Sequence, residues 1–471
     1  MFIVVNDIKV EYDYFRDLAY KTGSAIAKIT NKSDVILISK RTSIEQLASF
    51  IGCILYGRIP VIIPHPSKKV FKNEFLDKMN KIDQVAKPVL CISDTEDLET
   101  YSQIWKTVDN IDVDVNILPQ EKLDPEETAF IQLSSGTTAL PKVIRITHQA
   151  LIAQCDEYCN FIGLKPGDVV VSWLPLYHDM GLIACFLLPI LMKISFVHIN
   201  PFEWLSNPNM LFEQIEKYKG THVWLPNFAF SYMAKRCTNS KCNISSMKQW
   251  ISCSEVTHTK DVMNFVGQFR RIGARRKQMY VCYALAENIF AVSQGPLNAV
   301  NNIISCGTII PGTSVLIKNG QNIIVDNKEG DIYIRSSCMA SGLSVDTSGY
   351  YFTGDRGFIS DNNLFVLGRS DDMIISYGKN IYPYDIENIV SSMNGIIPGR
   401  VACFGTKNSL GTEDVFVVAE GEADENAIRE AILSNFDIGA KCKVVPRGYI
   451  IKTSSGKISR KRTREKVLSG N

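Results

Sequence analysis

The chain has 471 residues, which at roughly 150 residues per domain leaves room for about three compact units or for one large domain with a smaller partner. Apolar residues make up 45% and charged residues 21%, ordinary globular usage that excludes a disordered, collagen-like or coiled-coil chain. The formal charge of +2 argues against nucleic-acid binding, but Lys441 to Asn471 carries ten Lys/Arg against one acid, Glu465, a local +9 that leaves −7 on residues 1–440.

The start, MFIVVNDIKVEYDYF, puts Asp7 and Lys9 where a signal peptide needs its apolar stretch, so no export is expected. Thirteen cysteines is an odd count, and no pair has Cys-x-x-Cys spacing. Neither a disulfide framework nor a zinc ribbon is indicated, and reduced thiols in a cytoplasm are expected. Residues 35–100 alternate short apolar runs (VILIS, PVIIP, PVLCIS) with helical patterns such as IEQLASFIGCILYG, which reads as β-α-β with buried parallel strands. A second set follows: AFIQL, VIRIT, VVVSWLP, ISFVHI and THVWLP, separated by helix-period segments such as Leu151, Cys155, Cys159 and Ile162. The longest apolar run, Leu182 to Met192, has 11 residues and is broken by Pro189, short of the roughly 20 that span a bilayer. After about Gly307 the texture changes to short strands and turns (SVLIKNGQNIIVDNKEGDIYIRS). From about Asp371 come the helix PYDIENIVSSM, the strands RVACFG and VFVVAEG, and the helix ENAIREAILSNF, an α+β unit of its own. The fold expected is α/β: residues 1–369 as two α/β subdomains plus a small β-rich part, and 370–471 as a small α+β domain.

Five stretches carry candidate chemistry. Ser134-Ser135-Gly136-Thr137-Thr138-Ala139-Leu140-Pro141-Lys142 lies between two strands, and its amides, hydroxyls and lysine can wrap a polyphosphate. The order of a Walker A loop is absent, and a Ser/Thr-rich turn is the alternative. Trp173-Leu174-Pro175-Leu176-Tyr177-His178-Asp179 follows a strand, where open α/β sheets bind ligands. One histidine and one aspartate are too few for a metal site, and a lone loop histidine such as His178 is more often structural. In Tyr283-Ala284-Leu285-Ala286-Glu287 a tyrosine can stack on a purine, and the carboxylate can help hold Mg²⁺; the alternative is a plain helix start. Tyr351-Phe352-Thr353-Gly354-Asp355 enters a hairpin with Asp361-Asn362-Asn363 as its turn, and reflection about Asn362 pairs Asp355 with Arg369. The pair suits a ribose clamp or an exposed ion pair worth at most ~1 kcal/mol. Lys452-Thr453-Ser454-Ser455-Gly456-Lys457 can present Lys457 as a mobile cation, or is a solvated basic tail.

In their order and spacing these stretches resemble the adenylate-forming superfamily of acyl-CoA synthetases, luciferases and nonribosomal adenylation domains. SSGTTALPK looks like the family's phosphate loop, YALAE its YGxTE motif and YFTGD its TGD motif. GRSDDMIISYGKNIYPYDIE looks like its hinge motif and TSSGKISR its lysine motif. WLPLYHDMGL, LPNFAF and AFIQLSSGTT are most similar to the fatty-acyl-AMP ligase branch. The resemblance implies a large amino-terminal region with a small mobile domain, and ATP-dependent conversion of a carboxylic acid to an acyl adenylate. A thiol, the pantetheine of an acyl carrier protein or CoA, then displaces AMP.

Carried over by motif, Ser134, Ser135, Gly136, Thr137, Thr138 and Lys142 hold the phosphates. Tyr283, Ser254 and Ala284 line the adenine, Asp355 and Arg369 hold the ribose, and Glu287 with Thr138 attends Mg²⁺. His178, Trp224, Asn227 and Ala286 border the acyl group, Lys457 bridges the carboxylate and the α-phosphate, and Asp371 is the hinge.

The chain departs from the family at Ala139, Val143 and Ala284, where glycines are usual. A positive φ at any of them would cost ~1 kcal/mol. Only 18 residues separate Glu287 from Cys306, too few for the segment many fatty-acyl-AMP ligases add after this motif, so CoA remains an alternative acceptor. Trp224 stands where long-chain relatives have small residues. A nucleotide-binding regulatory protein without turnover is the alternative of a different class.

Overall fold

Segments such as VVVS, HVWL and QWIS are buried along their whole length, as strands are when helices cover both faces of a parallel sheet. The computed structural model describes residues 1–471 except 66–71, 103, 110–121, 135–139, 301–302, 321, 325–326, 377–378, 409–412, 453–456 and 470–471, and except the side chains of 72–74, 98 and 134. It divides into two compact units: Met1–Val315 with Ile334–Tyr351, and Leu316–Tyr333 with Phe352–Asn471.

In the first unit the strands run side by side in the order Met279–Ala284, Gln249–Ser252, His222–Leu225, Val169–Ser172, Ser195–His198 and Phe2–Val5, and all are parallel. Ala291–Pro296 joins Met279–Ala284 antiparallel, and Ile8–Glu11 joins Phe2–Val5 antiparallel. The amino-terminal hairpin was not expected. Asn6 and Asp7, both at positive φ, turn it in the manner of a type I′ loop. A second parallel sheet has the order Ile59–Ile62, Val35–Ser39, Leu90–Ser93 and Thr107–Val108. No helix among the described residues is long and apolar enough to cross a membrane.

The helix His148–Ile162, capped by the Thr147 hydroxyl, covers one face of the large sheet and buries a polar chain there. The Trp224 Nε1–H donates to the Tyr158 hydroxyl at 2.9 Å, and Tyr158 donates to Gln294 Oε1 at 2.5 Å. Gln294 Nε2 donates to Gln249 Oε1, and Gln249 Nε2 to the Ile162 carbonyl, both at 2.9 Å. Trp224 is 0% exposed, so its indole is an interior group whose polar atom is satisfied within the core.

The hairpin of Tyr351–Ser360 with Asn363–Arg369 belongs to the second unit from Phe352 onward, and that unit also holds a three-stranded sheet. In that sheet Glu413–Gly421 lies between Ile396–Lys407, antiparallel, and Ala440–Val445, parallel. The helices Pro383–Ser391 and Glu425–Phe436 place Ile386, Val390, Ile428 and Ile432 in one core with Val401, Cys403, Val415 and Val417. The hairpin corrects one expectation. Its turn is the two-residue Asp361-Asn362, both at positive φ, not a three-residue loop. Ser360 therefore faces Asn363, and a bulge between Arg356 and Gly357 restores the expected register, so that Asp355 does face Arg369.

The buried chain gives a stability prediction. Tyr158→Phe leaves the Trp224 N–H and one Gln294 oxygen without a partner, and each unmade buried bond costs ~1–3 kcal/mol. The variant is expected to lose about 3 kcal/mol, read as a lower urea midpoint at unchanged m-value.

Candidate active site

The carboxyl ends of the parallel strands in the first unit gather several of the candidate residues, the position at which open α/β sheets take ligands. Val169–Ser172 runs out into Trp173–Asp179, and the His178 carbonyl accepts from the Leu182 amide at 2.8 Å. Asp179 Oδ1 accepts from the Met180 amide at 2.8 Å and opens a π-helical run, Met180–Leu187, a winding common at functional sites. A Cβ on Gly181 would stand 2.3 Å from the Pro175 carbonyl oxygen, so the loop folds back this tightly only with glycine there. Ser254, at φ +70°, follows the strand Gln249–Ser252, and its hydroxyl donates to Met180 Sδ at 3.8 Å. The Ser254 turn and the His178 loop therefore meet.

Asn227 and Trp224 are placed differently. The Asn227 amide donates to Asp261 Oδ2 and accepts from the His258 N–H, both at 2.9 Å, which fixes the turn before the helix Thr259–Phe269. Trp224 lies under the helix His148–Ile162, bonded to Tyr158.

Tyr283, Ala284, Leu285, Ala286 and Glu287 are half-buried in succession between fully buried neighbours. The strand ends at Ala284, Ala286–Asn288 makes one 3₁₀ turn, and Ile289 sits at φ +62° with the Phe290 amide donating to the Asn288 carbonyl at 2.6 Å. This is a strained γ-turn on a β-branched residue. It is held because Ile289 is 0% exposed, and because Asn288 donates to the Ala291 carbonyl and accepts from the Ser336 hydroxyl.

Glu287 Oε1 accepts from Lys142 Nζ at 2.5 Å and from the Tyr351 hydroxyl at 3.1 Å, and Lys142 also donates to that hydroxyl at 2.9 Å. Lys142 faces Ser134 across the hairpin Thr128–Ser134 and Lys142–Thr147. Ser135, Gly136, Thr137, Thr138 and Ala139 lie outside the described residues, as does the Ser134 side chain. Val143 and Ala284 lie in paired strands and not at positive φ, so the strain a missing glycine would bring is absent at both.

Burial works to lower the Lys142 pKa, but the bonds to Glu287 and Tyr351 outweigh it, and the ammonium is held above its ordinary value. Burial likewise pushes the Tyr351 phenol up. The cluster is thus an ammonium, a carboxylate and a neutral phenol. Mg²⁺ takes one or two carboxylates plus phosphate oxygens, and Glu287 fits that need: Oε1 takes both bonds, and Oε2 accepts from none of the described residues.

In the second unit Arg369 Nη1 lies 3.4 Å from Asp355 Oδ1 and from the Thr353 carbonyl. Gly354, at φ +77°, lets the guanidinium cross; a Cβ there would stand 3.1 Å from Arg369 Nη2. Asp371 and Lys457 are both exposed.

A family model for AMP-binding enzymes matches residues 2–343. The chain belongs to the AMP-binding enzyme family. Among its relatives, the medium-chain-fatty-acid–[acyl-carrier-protein] ligase JamA of Moorena producens (strain JHB) is 27% identical over 98% of this chain and 90% of JamA. The long-chain-fatty-acid–AMP ligase FadD32 of Mycolicibacterium smegmatis is 24% identical over 97% and 89%. Of solved structures, fatty acyl-adenylate ligase from L. pneumophila in complex with acyl adenylate and pyrophosphate aligns with a TM-score of 0.74 at 25% identity, covering 99% of this chain and 93% of that one. A chain from work on fatty acyl-adenylate ligases of E. coli and L. pneumophila shares the fold at a TM-score of 0.91 and 24% identity, covering 100% and 96%.

Two groups of this AMP-binding enzyme escaped the sequence reading. Tyr351 was read only as the entry to its hairpin, although it stands four residues before Asp355; its phenol joins Lys142 to Glu287. Arg460, three residues after Lys457, was counted with the basic tail, yet it is buried against Glu387 and Asp372. Lys441 is likewise paired, with Asp414, so the tail offers a partner less than its formal +9.

The lysine cluster has a defined pH sign. A folded pKa above the ordinary 10.5 means that the pairing contributes in full below pH 10.5 and is lost as pH rises through the folded value. Tyr351→Phe removes one acceptor from Lys142 and is expected to bring its titration, followed by NMR of the labelled side chain, back toward 10.5. A titration unmoved by the substitution would show that Glu287 alone sets the value.

Proposed function

We propose that this chain activates a carboxylic acid with ATP and passes the acyl group to the pantetheine thiol of an acyl carrier protein. The observation that carries this reading is the family match together with the near full-length likeness to JamA. The Lys142–Glu287–Tyr351 cluster at the end of a parallel strand adds to it.

In the first step a carboxylate oxygen attacks the α-phosphorus and the bond to the bridging oxygen breaks, releasing pyrophosphate. In the second a thiolate attacks the acyl carbon and AMP leaves; the thiol proton goes to solvent. The first step brings two anions together, so fixed positive charge is needed where negative charge gathers. In this reading Lys142 turns to the phosphates of ATP, with Ser134 to Thr138 wrapping them. Mg²⁺ would be held by Glu287 Oε2, with Thr138, and would neutralise phosphate charge. Tyr283, Ala284 and Ser254 line the adenine, and Asp355 with Arg369 holds the ribose. His178, Asn227, Ala286 and Trp224 border the acyl group, and Lys457 bridges carboxylate and α-phosphate. The boundary between the adenylating core and the mobile domain falls at 369/370, with Asp371 as the hinge that turns between the two steps. Thirteen free thiols, eleven of them buried, suit a reducing cytoplasm.

Transfer to free CoA is the second reading, supported by the short span between Glu287 and Cys306, filled here by the short strands Ala291–Pro296, Ala299–Val300 and Ile303–Ile304. ATP–pyrophosphate exchange across a panel of carboxylic acids tests the first step, and the active acid offered with carrier protein or CoA tests the second. No exchange with any acid would leave a nucleotide-binding protein without turnover.

Lys457→Ala is expected to abolish exchange while sparing thiol transfer from synthetic acyl adenylate, since the lysine acts only where two anions meet. Equal loss in both steps would remove that role. Trp224→Gly is expected to shift the preference toward longer acids. Each newly buried CH₂ contributes about 0.8 kcal/mol, roughly fourfold in kcat/KM. An unchanged chain-length profile in a variant that still folds would mean that Trp224 only packs against Tyr158.

A further inference from the structure

Lys457 stands three residues before Arg460, the first residue of the helix Arg460–Leu468. The segment carrying it is closed at its base: Lys452 bridges to Ile458, and the Ser459 amide donates to the Ile451 carbonyl at 2.8 Å. The Ile451 amide in turn donates to the Thr463 hydroxyl inside that helix at 3.2 Å. Whatever holds Arg460 therefore holds the lysine segment.

The Arg460 side chain turns inward and is 9% exposed. Its Nε and Nη2 donate to the two oxygens of Glu387 at 2.8 and 2.7 Å, and Nη1 donates to Asp372 Oδ2 at 2.7 Å. The guanidinium carbon sits 4.0 Å from the centre of the Tyr384 ring. Glu387 also accepts the Cys403 amide at 2.9 Å, which ties the cluster to the strand Ile396–Lys407. Burial alone would lower the arginine's pKa; Glu387 first, then Tyr384 and Asp372, reverse this and hold it well above the ordinary value. The two carboxylates do different work. Glu387 anchors Arg460 to the core of its own domain, whereas Asp372 adjoins Asp371.

We propose that Arg460 is a positioning residue for the adenylation step: through Asp372 it fastens the Lys457 segment to the hinge, so that turning at Asp371 moves the lysine as one rigid lever. This rests on the adenylation role of Lys457 and the hinge role of Asp371 given above. Arg460 is suited to the task because one planar fork satisfies two carboxylates at once, which a lysine cannot do.

Asp372→Ala cuts the fastening and leaves the Glu387 pair in place. Its side chain is 32% exposed, so the domain is expected to fold, with thermal unfolding as the check. A lysine misplaced by about 1 Å costs ~100-fold. The kcat of ATP–pyrophosphate exchange is therefore expected to fall ~10- to 100-fold with the KM values for ATP and acid within about twofold. Thiol transfer from synthetic acyl adenylate should stay within about twofold, and Asp372→Glu should recover part of the exchange. Arg460→Lys should reproduce the same split. Equal loss in both half-reactions, or unchanged exchange in Asp372→Ala while Lys457→Ala abolishes it, would overturn the fastening alone. Exchange that survives Lys457→Ala would overturn the adenylation role of the lysine, and this proposal with it.

Discussion

A parallel sheet buried on both faces can display polar chemistry only at the ends of its strands, and the first unit follows from that constraint. Its strands are short and more apolar than polar, because each side chain along them must meet a helix or the opposite layer. Some polar groups along them have partners built in, as with Gln249, Gln294 and Trp224 beneath the helix His148–Ile162. The residues that the proposed function brings to the ligand stand at or just beyond the strand ends: His178, Ser254, Tyr283 and Glu287. The turn that delivers Glu287 carries a β-branched residue at positive φ, strain of a kind that clusters at functional sites when its surroundings hold it in place. Here the burial of Ile289 and the side-chain bonds of Asn288 do the holding.

Burial also separates the two ion clusters by purpose. Lys142 and Glu287 are 39% and 17% exposed at the side chain, so their pairing is screened and the lysine can exchange one anion for another at modest cost. Arg460 and Glu387 are both 9% exposed. Charges so deep are costly to separate, and such a pair suits a fixed joint rather than a mobile contact. In the proposed mechanism the ion pair that opens to receive phosphate lies near solvent, and the one that transmits motion lies inside.

Much of this was legible in the sequence because local rules act there. Apolar runs of four or five residues marked the parallel strands, and the change of texture near Gly307 marked the short-stranded region. The facing of Asp355 and Arg369 followed from counting along a hairpin, although the count succeeded by compensation, a shorter turn offset by a bulge. What stayed hidden depends on long-range packing. Nothing local says that Phe2–Val5 lies beside Ser195–His198, that the Tyr351 phenol reaches residues 142 and 287, or that the Trp224 indole bonds to a tyrosine 66 positions away. Propensity and spacing carry no record of such partners, since each is chosen by the whole fold.

The basic carboxyl terminus shows why charge counting alone misleads. Ten cations in a short span count as a local +9, yet the cation nearest the end of the lysine motif, Arg460, is among the most buried charged groups of its unit. Its carboxylate partners lie 73 and 88 residues earlier, so the cluster could not be recognised from composition. Once Arg460 is spent on Glu387 and Asp372, and Lys441 on Asp414, the net charge left to attract a carrier falls. Lys457 is exposed on a segment whose base is fixed, and a cation on a fixed base can be brought to a developing charge without first losing the entropy of a free tail.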